Sequence, residues 1–82
     1  MSNSNKTTPD KILDVKKLLC PIPIYRTDAA LLDLKKGQTL EIQATDPAIV
    51  NDLPAYCGIN GHKILNIHHE GRVIIGLVEK GE

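Results

Sequence analysis

Apolar and polar residues alternate with period two in three stretches of this chain. The clearest stretch is 39–45, whose apolar face consists of Leu40, Ile42 and Ala44. Such alternation is typical of a strand with one buried and one solvated face, so we expect a sheet covered on one side only. Two further stretches, 63–69 and 72–80, flank Glu70-Gly71 and predict a hairpin.

In 72–80 we expect the residues at alternate positions to share one face. These are the apolar Val73, Ile75 and Leu77, followed by Glu79. In 63–69 the alternation is less regular, because Leu65 is out of phase with Ile64 and Ile67. A short apolar segment, 12–15, predicts one more strand near the beginning of the chain.

Between these strands, two segments have apolar residues at helical spacing. In the first, 22–34, the bulkier of two stripes is expected to pack on the sheet: Ile24, Thr27, Leu31 and Leu34, with Ala30 at its edge. The other stripe is expected at the flank, partly exposed, and consists of Tyr25, Ala29 and Leu32. Gly37 is typical of a residue that follows a helix end.

The second helical segment begins at Asp46-Pro47, with Asp46 as the expected N-cap and Pro47 as the first helical residue. Pro54 lies inside it and removes a backbone donor, so we expect a broken helix that extends to about Ile59. Asn60-Gly61 then ends it.

The predicted order is strand, helix, strand, helix, strand, strand. This order indicates an α/β (α+β) two-layer sandwich, βαβαββ, with two helices on one face of a four-stranded mixed sheet. Residues 11–82 would form this single domain. Residues 1–10 are polar and without apolar periodicity, and we expect them to form a disordered N-terminal tail.

Charge excludes some functions. The chain has ten Lys plus Arg and ten Asp plus Glu, so it lacks the basic excess that holds a phosphate backbone. Its two aromatic residues, Tyr25 and Tyr56, argue against a base-stacking surface.

No apolar run is long enough to span a membrane, and no apolar signal segment precedes the cysteines. We expect a cytoplasmic monomer that contacts neither nucleic acid directly nor a membrane.

The candidate chemistry lies in Cys20-Pro21-Ile22-Pro23, at the start of the first predicted helix. With Cys20 as N-cap, Pro21 is the first helical residue, and Pro23 has no N–H. The Ile22 N–H is then the remaining donor for Cys20 Sγ. The helix dipole also favours thiolate, so we predict a reactive thiol whose pKa lies below the ordinary value.

Other residues admit both structural and chemical interpretations. Cys20 itself could be a small buried hydrophobe. Cys57 lies on the apolar stripe of the second helix, which predicts a buried thiol, with a resolving or sulfur-relay role as the alternative. The three histidines His62, His68 and His69 do not have the spacing of metal ligands, and we expect no metal site. His62 is expected to cap or pack at the turn from helix to strand.

An ordered series of motifs resembles the TusA/SirA-type sulfur carrier proteins. It covers about 12–80 and comprises Leu13-Asp14, Leu18-x-Cys20-Pro21-x-Pro23 (the CPxP motif), Leu31-x-x-Leu34-x-x-Gly37, Thr45-Asp46-Pro47, Asp52-Leu53-Pro54, Tyr56-Cys57 and Gly61-His62. The resemblance implies the fold of the C-terminal domain of translation initiation factor three. It also implies a sulfurtransferase-type carrier, rather than a stand-alone catalyst, in which Cys20 holds a sulfane sulfur as a persulfide.

This resemblance implies a cysteine desulfurase or rhodanese as donor, a protein as sulfur acceptor, and no cofactor beyond the covalent sulfur. tRNA thiolation, cofactor maturation, selenium metabolism and sulfur oxidation are all compatible with it. Pro21, Ile22, Pro23 and Lys17 would support the thiol, and partners would contact Ile22, Tyr25, Arg26 and Ala29. A regulatory interaction module and a thiol-disulfide redox protein are the alternatives.

Lys17 departs from the family pattern, which usually has glycine at this position. If the position requires a positive φ, lysine is strained there. If it requires only a small residue, Lys17 adds a cation near the sulfur and favours the thiolate. The sequence is compatible with both.

Overall fold

The computed structural model describes residues 8–81. Its elements are β1 (Lys11–Val15), α1 (Ile22–Leu32), β2 (Thr39–Ala44), α2 (Ile49–Asn60), β3 (Lys63–Glu70) and β4 (Val73–Glu79). The predicted βαβαββ order is therefore confirmed. None of the helices in this part of the chain is long and apolar enough to cross a bilayer.

The four strands form one mixed sheet in the order β1-β2-β4-β3. β1 and β2 are parallel neighbours connected through α1, whereas β4 is antiparallel to both β2 and β3. Because β1 and β2 run in the same direction, their carboxyl ends lie at the same edge of the sheet. The segments that follow Val15 and Ala44 therefore start next to each other, and this juxtaposition builds the site described below.

One face of the sheet and the inner sides of both helices form the core. The sheet contributes Val15, Leu40, Ile42, Ala44, Ile74 and Val78, and the helices contribute Ala30, Leu31, Ile49, Leu53 and Cys57. The predicted inward face of β2 is thus confirmed. The inner stripe of α1 is largely as predicted, with Ile24 and Leu34 only partly buried, while Tyr25, Ala29 and Leu32 are exposed.

The expectation of a broken second helix is wrong. α2 is one helix with Pro54 inside it. Ile49, Leu53 and Cys57 recur at i, i+4 and i+8 and are all buried, so packing on both sides of the proline holds the segment helical. The proline ring itself is exposed. As predicted, Gly61 ends the helix, with a left-handed φ of 78°.

In β4 the face that we grouped by alternation is not the core face. The buried residues are Ile74, Gly76 and Val78, and Val73, Ile75 and Leu77 are only partly buried. Nearly every residue of β4 is apolar, so its pattern does not define which face points inward. Gly76 is required there for space, because a Cβ on it would lie 2.8 Å from Leu53 Cδ2.

The hairpin at Glu70-Gly71 is confirmed, with Gly71 at φ 65°. The irregular alternation in β3 has a structural cause, since the register shifts between Ile64 and Asn66 and leaves Leu65 in a bulge, 43% exposed. Residues 1–7 of the expected disordered tail lie outside the described residues. Its last residue, Asp10, exchanges hydrogen bonds with Thr39 of β2.

Candidate functional site

Cys20 lies on an exposed turn between the end of β1 and the start of α1. The expectation that it is the N-cap is wrong by one residue: Pro21 is the N-cap, Ile22 is the first helical residue and Pro23 is the second. The Cys20–Pro21 peptide bond is cis. Cys20 lies one residue before the N-cap of α1.

The expected hydrogen bond from the Ile22 N–H to Cys20 Sγ is absent. That N–H instead donates to the Leu19 carbonyl at 2.9 Å. The N–H groups of Ile24 and Tyr25 both donate to the Pro21 carbonyl, at 3.1 and 3.2 Å. The N–H groups of Ile22, Ile24 and Tyr25 therefore all donate to backbone carbonyls. The hydrogen-bond partner of the sulfur is a different group.

That partner is a carboxylate. The Cys20 thiol donates to Asp52 Oδ2 at 3.0 Å, and the Cys20 backbone N–H donates to Asp46 Oδ2 at 2.6 Å. Asp46 Oδ1 in turn accepts the Ala48 N–H at 3.0 Å. Asp46 was expected to cap the second helix, but Ala48 occupies the N-cap position and Asp46 bridges the two helix starts instead.

These carboxylates reverse the predicted acidity of the thiol. The hydrogen bond to Asp52 raises the pKa of Cys20, and desolvation and the negative charges of Asp52 and Asp46 raise it further. A thiolate would stand beside a carboxylate, so the thiol form is favoured. The pKa of Asp46 is lowered, because its oxygens accept the N–H groups of Ala48 and Cys20. The prediction of a Cys20 pKa below the ordinary value is therefore wrong.

The surface around the sulfur is a shallow depression. It is lined by Cys20, Pro23, Ile24, Asp46, Ile49 and Asp52. A depression of this kind does not enclose a small molecule in the way a typical ligand pocket does. The sulfur is accessible from outside, so a reacting group would reach it on the surface of a partner or from solvent.

Three large apolar side chains close to Cys20 in the chain are exposed. The side chains of Leu19, Ile22 and Tyr25 are 70%, 39% and 63% exposed. Arg26 and Ala29, which we also expect to contact partners, are exposed as well. The surface that they form with Cys20 is therefore available to a partner protein.

Lys17 has a φ of 71°, in the left-handed region that favours glycine. Of the two interpretations of this position, the conformational one is correct: the backbone here requires a positive φ. The Lys17 N–H donates to Thr45 Oγ1 at 2.8 Å, which fixes the turn to the end of β2. The charge of Lys17 is not among the causes that shift the pKa of Cys20.

Cys57 is a core residue, as predicted. It is 1% exposed, and burial raises the pKa of its thiol to about 11.

His62 packs at the turn into β3, where its ring lies 5.8 Å from that of Tyr56 and its Nδ1 accepts the Gly81 N–H. His68 contacts Asn66 and Glu70. Within residues 8–81 no three His, Cys, Asp or Glu side chains are grouped as metal ligands.

Sequence reasoning missed Asp46 and Asp52 as site residues. The available signal was topological. Cys20 follows β1 and Asp46 follows β2, so a parallel pairing of these two strands places both residues at one edge of the sheet. Asp52 belongs to the first turn of α2, whose start lies at that same edge. The fold and site together define a small α/β thiol protein with one accessible cysteine.

Comparisons with known proteins identify the family. A family model described as sulfurtransferase TusA matches residues 11–80. The chain is 44% identical over 72 residues to YrkI of Bacillus subtilis (strain 168), described as a candidate sulfur carrier protein, with 88% of this chain and 96% of YrkI covered. The chain belongs to the TusA family.

Two further comparisons agree with this assignment. The chain is 32% identical over 74 residues to the sulfur carrier protein TusA of Buchnera aphidicola subsp. Baizongia pistaciae (strain Bp), covering 90% of this chain and 94% of that protein. The crystal structure of a SirA-like protein from Desulfitobacterium hafniense has the same fold, with a TM-score of 0.76 at 22% identity, covering 88% of this chain and 99% of that one.

Proposed function

We propose that this protein is a sulfur carrier that accepts a sulfane sulfur as a persulfide on Cys20 and relays it to an acceptor protein. The observation that carries the proposal is the exposed Cys20 thiol at the start of α1, in a chain of the TusA family. The other cysteine, Cys57, is closed off in the core. One thiol therefore has the access that sulfur exchange between proteins needs.

The shape of the site supports carriage rather than independent catalysis. The depression at Cys20 is too shallow to enclose a substrate, and the exposed apolar side chains around it suit protein docking. The donor would be a cysteine desulfurase or a rhodanese, which presents its own persulfide, and the sulfur would need no cofactor. We propose that these exchanges take place in the cytoplasm.

The partner surface would comprise Ile22, Tyr25, Arg26 and Ala29, all exposed on the side of α1 away from the core. Pro21 and Pro23 fix the chain on either side of Ile22, because proline has a restricted φ. Pro23 is also buried, which anchors the helix start below the thiol. These residues would hold the Cys20 thiol in an accessible position and would not lower its pKa.

The test combines loading with relay. The chain is incubated with a cysteine desulfurase and cysteine, and its intact mass is measured before and after addition of an acceptor protein. We expect a gain of one sulfur atom, lost again to the acceptor, in the wild-type chain and in Cys57→Ser. Cys20→Ser should gain none. Loading that persists in Cys20→Ser would contradict the proposal.

A further inference from the structure

Asp52 contacts the Cys20 sulfur from the first turn of α2. Its position in the first turn of α2 suits a carboxylate, because the helix dipole is positive there. That effect needs only a negative charge near the helix start. It does not require an oxygen 3.0 Å from Cys20 Sγ, on a residue that is 32 positions away in the chain. The contact is specific to the thiol.

We propose that Asp52 is the proton acceptor of the Cys20 thiol during sulfur loading, and that it returns this proton to the departing donor sulfur. The inference rests on the proposed function and names a residue that acts in it. The geometry meets the requirement for a general base, which must lie within hydrogen-bond distance of the proton it takes.

The step balances without an oxidant or a reductant. Cys20 Sγ forms a bond with the terminal sulfur of a protonated donor persulfide, and the S–S bond of the donor breaks. The bonding pair leaves with the inner sulfur of the donor. The Cys20 proton passes to Asp52 Oδ2 and then to that departing thiolate. The products are a donor thiol and a Cys20 persulfide, so one sulfur atom moves and one proton is conserved.

The two carboxylates of the site have different tasks. Asp46 accepts the backbone N–H of Cys20 and of Ala48, so both of its oxygens are engaged by the main chain. Within residues 8–81, the side-chain hydrogen bond to the Cys20 sulfur is made by Asp52. These are the two charged groups that act on the thiol, one from the loop after β2 and one from α2. In the free protein they hold Cys20 protonated, which makes a nearby proton acceptor useful.

Two reactions of the Cys20 thiol distinguish a role of Asp52 in proton transfer from its effect on the pKa of that thiol. Alkylation by iodoacetamide depends on the thiolate fraction, and its leaving iodide needs no proton. Loading from glutathione persulfide releases a thiolate, a poorer leaving group than iodide, which departs more readily when a proton is delivered to it. Removing the charge of Asp52 should raise the thiolate fraction, since a neighbouring negative charge is lost. It should also remove the route by which the proton reaches the leaving group.

The experiment measures both rates in the Cys57→Ser background. For Asp52→Asn we expect faster alkylation at neutral pH but loading slower by about a hundredfold, at the low end of the roughly 10²–10⁴-fold that acid–base catalysis contributes. Asp52→Glu keeps the carboxylate and should recover part of the loading rate. Loading of the parent should depend less on pH than its alkylation does, and in Asp52→Asn the two profiles should become parallel.

Asp33→Asn is the matched control. It removes the same charge at the opposite end of α1, where Asp33 pairs with Lys11 on the surface, and should change neither rate. Circular dichroism verifies that each variant is folded. If Asp52→Asn loads as fast as its parent, or faster in step with alkylation, the assignment of Asp52 is overturned while the carrier function stands. Where the parent loads only from a cysteine desulfurase with cysteine, the same variants are compared with that donor; if the parent takes up sulfur from neither source, the proposed function is overturned together with the assignment.

Discussion

The two cysteines of this chain lie in opposite environments. Cys20 is exposed on a turn between two carboxylates, and Cys57 is 1% exposed on the inner side of α2. The pKa of each thiol is nevertheless raised, at Cys20 chiefly by the hydrogen bond to Asp52 and at Cys57 by burial. The direction of the pKa shift therefore does not distinguish them. What distinguishes the thiol that we propose to carry sulfur is access to a partner.

The two sites also limit the reactivity of their cysteine thiols in different ways. At Cys57 the protein removes water and excludes reagents, and this protection lasts as long as the fold does. At Cys20 the thiol stays accessible, and its hydrogen bond to Asp52 and the nearby carboxylate charges lower the thiolate fraction without excluding reagents. A carrier benefits from the second arrangement, because a free thiolate on the surface would also react with oxidants and metals.

The largest effect that we predict is on modification by iodoacetamide under native conditions. Cys20 should react, whereas Cys57 should react only through opening of the fold, at least about 10³ times more slowly if the open fraction is 10⁻³ or less. Mass spectrometry of the peptides gives both rates. In denaturant the two should become similar. Rapid modification of Cys57 in the native protein would show that access does not separate the two thiols.

A second prediction concerns stability. Cys57→Ser places a hydroxyl in the core and should lower the free energy of unfolding by about 1–3 kcal/mol. Cys20→Ser, the same change on the surface, should stay within roughly 0.5 kcal/mol of the parent. Urea unfolding followed by circular dichroism measures both. Equal losses in the two variants would mean that the turn at Cys20 depends on its thiol for stability.

The smallest effect should come from Lys17. A left-handed φ costs a non-glycine residue about 1–2 kcal/mol, and glycine loses about 0.5–1 kcal/mol of this gain through its unfolded-state entropy. We therefore expect Lys17→Gly to stabilise the chain by about 0.5–1 kcal/mol in urea unfolding. The pH profile of Cys20 alkylation should not change, since the Lys17 charge does not shift the thiol pKa.

Lys36→Gly is the control for that change, because Lys36 is exposed and is not among the residues with positive φ in the described chain. It should be neutral or slightly destabilising. If Lys17→Gly also destabilises, the positive φ at this turn costs the protein nothing. If it alters the alkylation profile, the cation does act on the sulfur.

Local pattern was sufficient for most of the fold. The alternation in β2 and the Glu70-Gly71 turn are determined by neighbouring residues, and the sequence shows them directly. Where local pattern failed, a distant contact decided the result. Pro54 did not break α2, because buried residues on either side hold the helix. On the inward face of β4, Leu53 of α2 packs against Gly76, a contact between distant residues that the local pattern does not show.

The difference between local pattern and distant contacts also explains which properties of the candidate site could be predicted. Cys20 could be identified from the prolines around it, since these are local. Its acidity could not, because the groups that set it are 26 and 32 positions away, at Asp46 and Asp52. The dipole of α1 is local and favours the thiolate, whereas the carboxylates that α2 and the loop before it bring to the same place favour the thiol.

The most direct test of the account locates the sulfur itself. The wild-type chain is loaded by a cysteine desulfurase with radiolabelled cysteine, digested without reductant, and the labelled sulfane sulfur is assigned to peptides by mass spectrometry. We predict that the label is on the peptide that contains Cys20 and that cyanide, which removes sulfane sulfur, releases it. Label on the Cys57 peptide, or divided equally between the two, would contradict the central claim that the accessible thiol is the carrier.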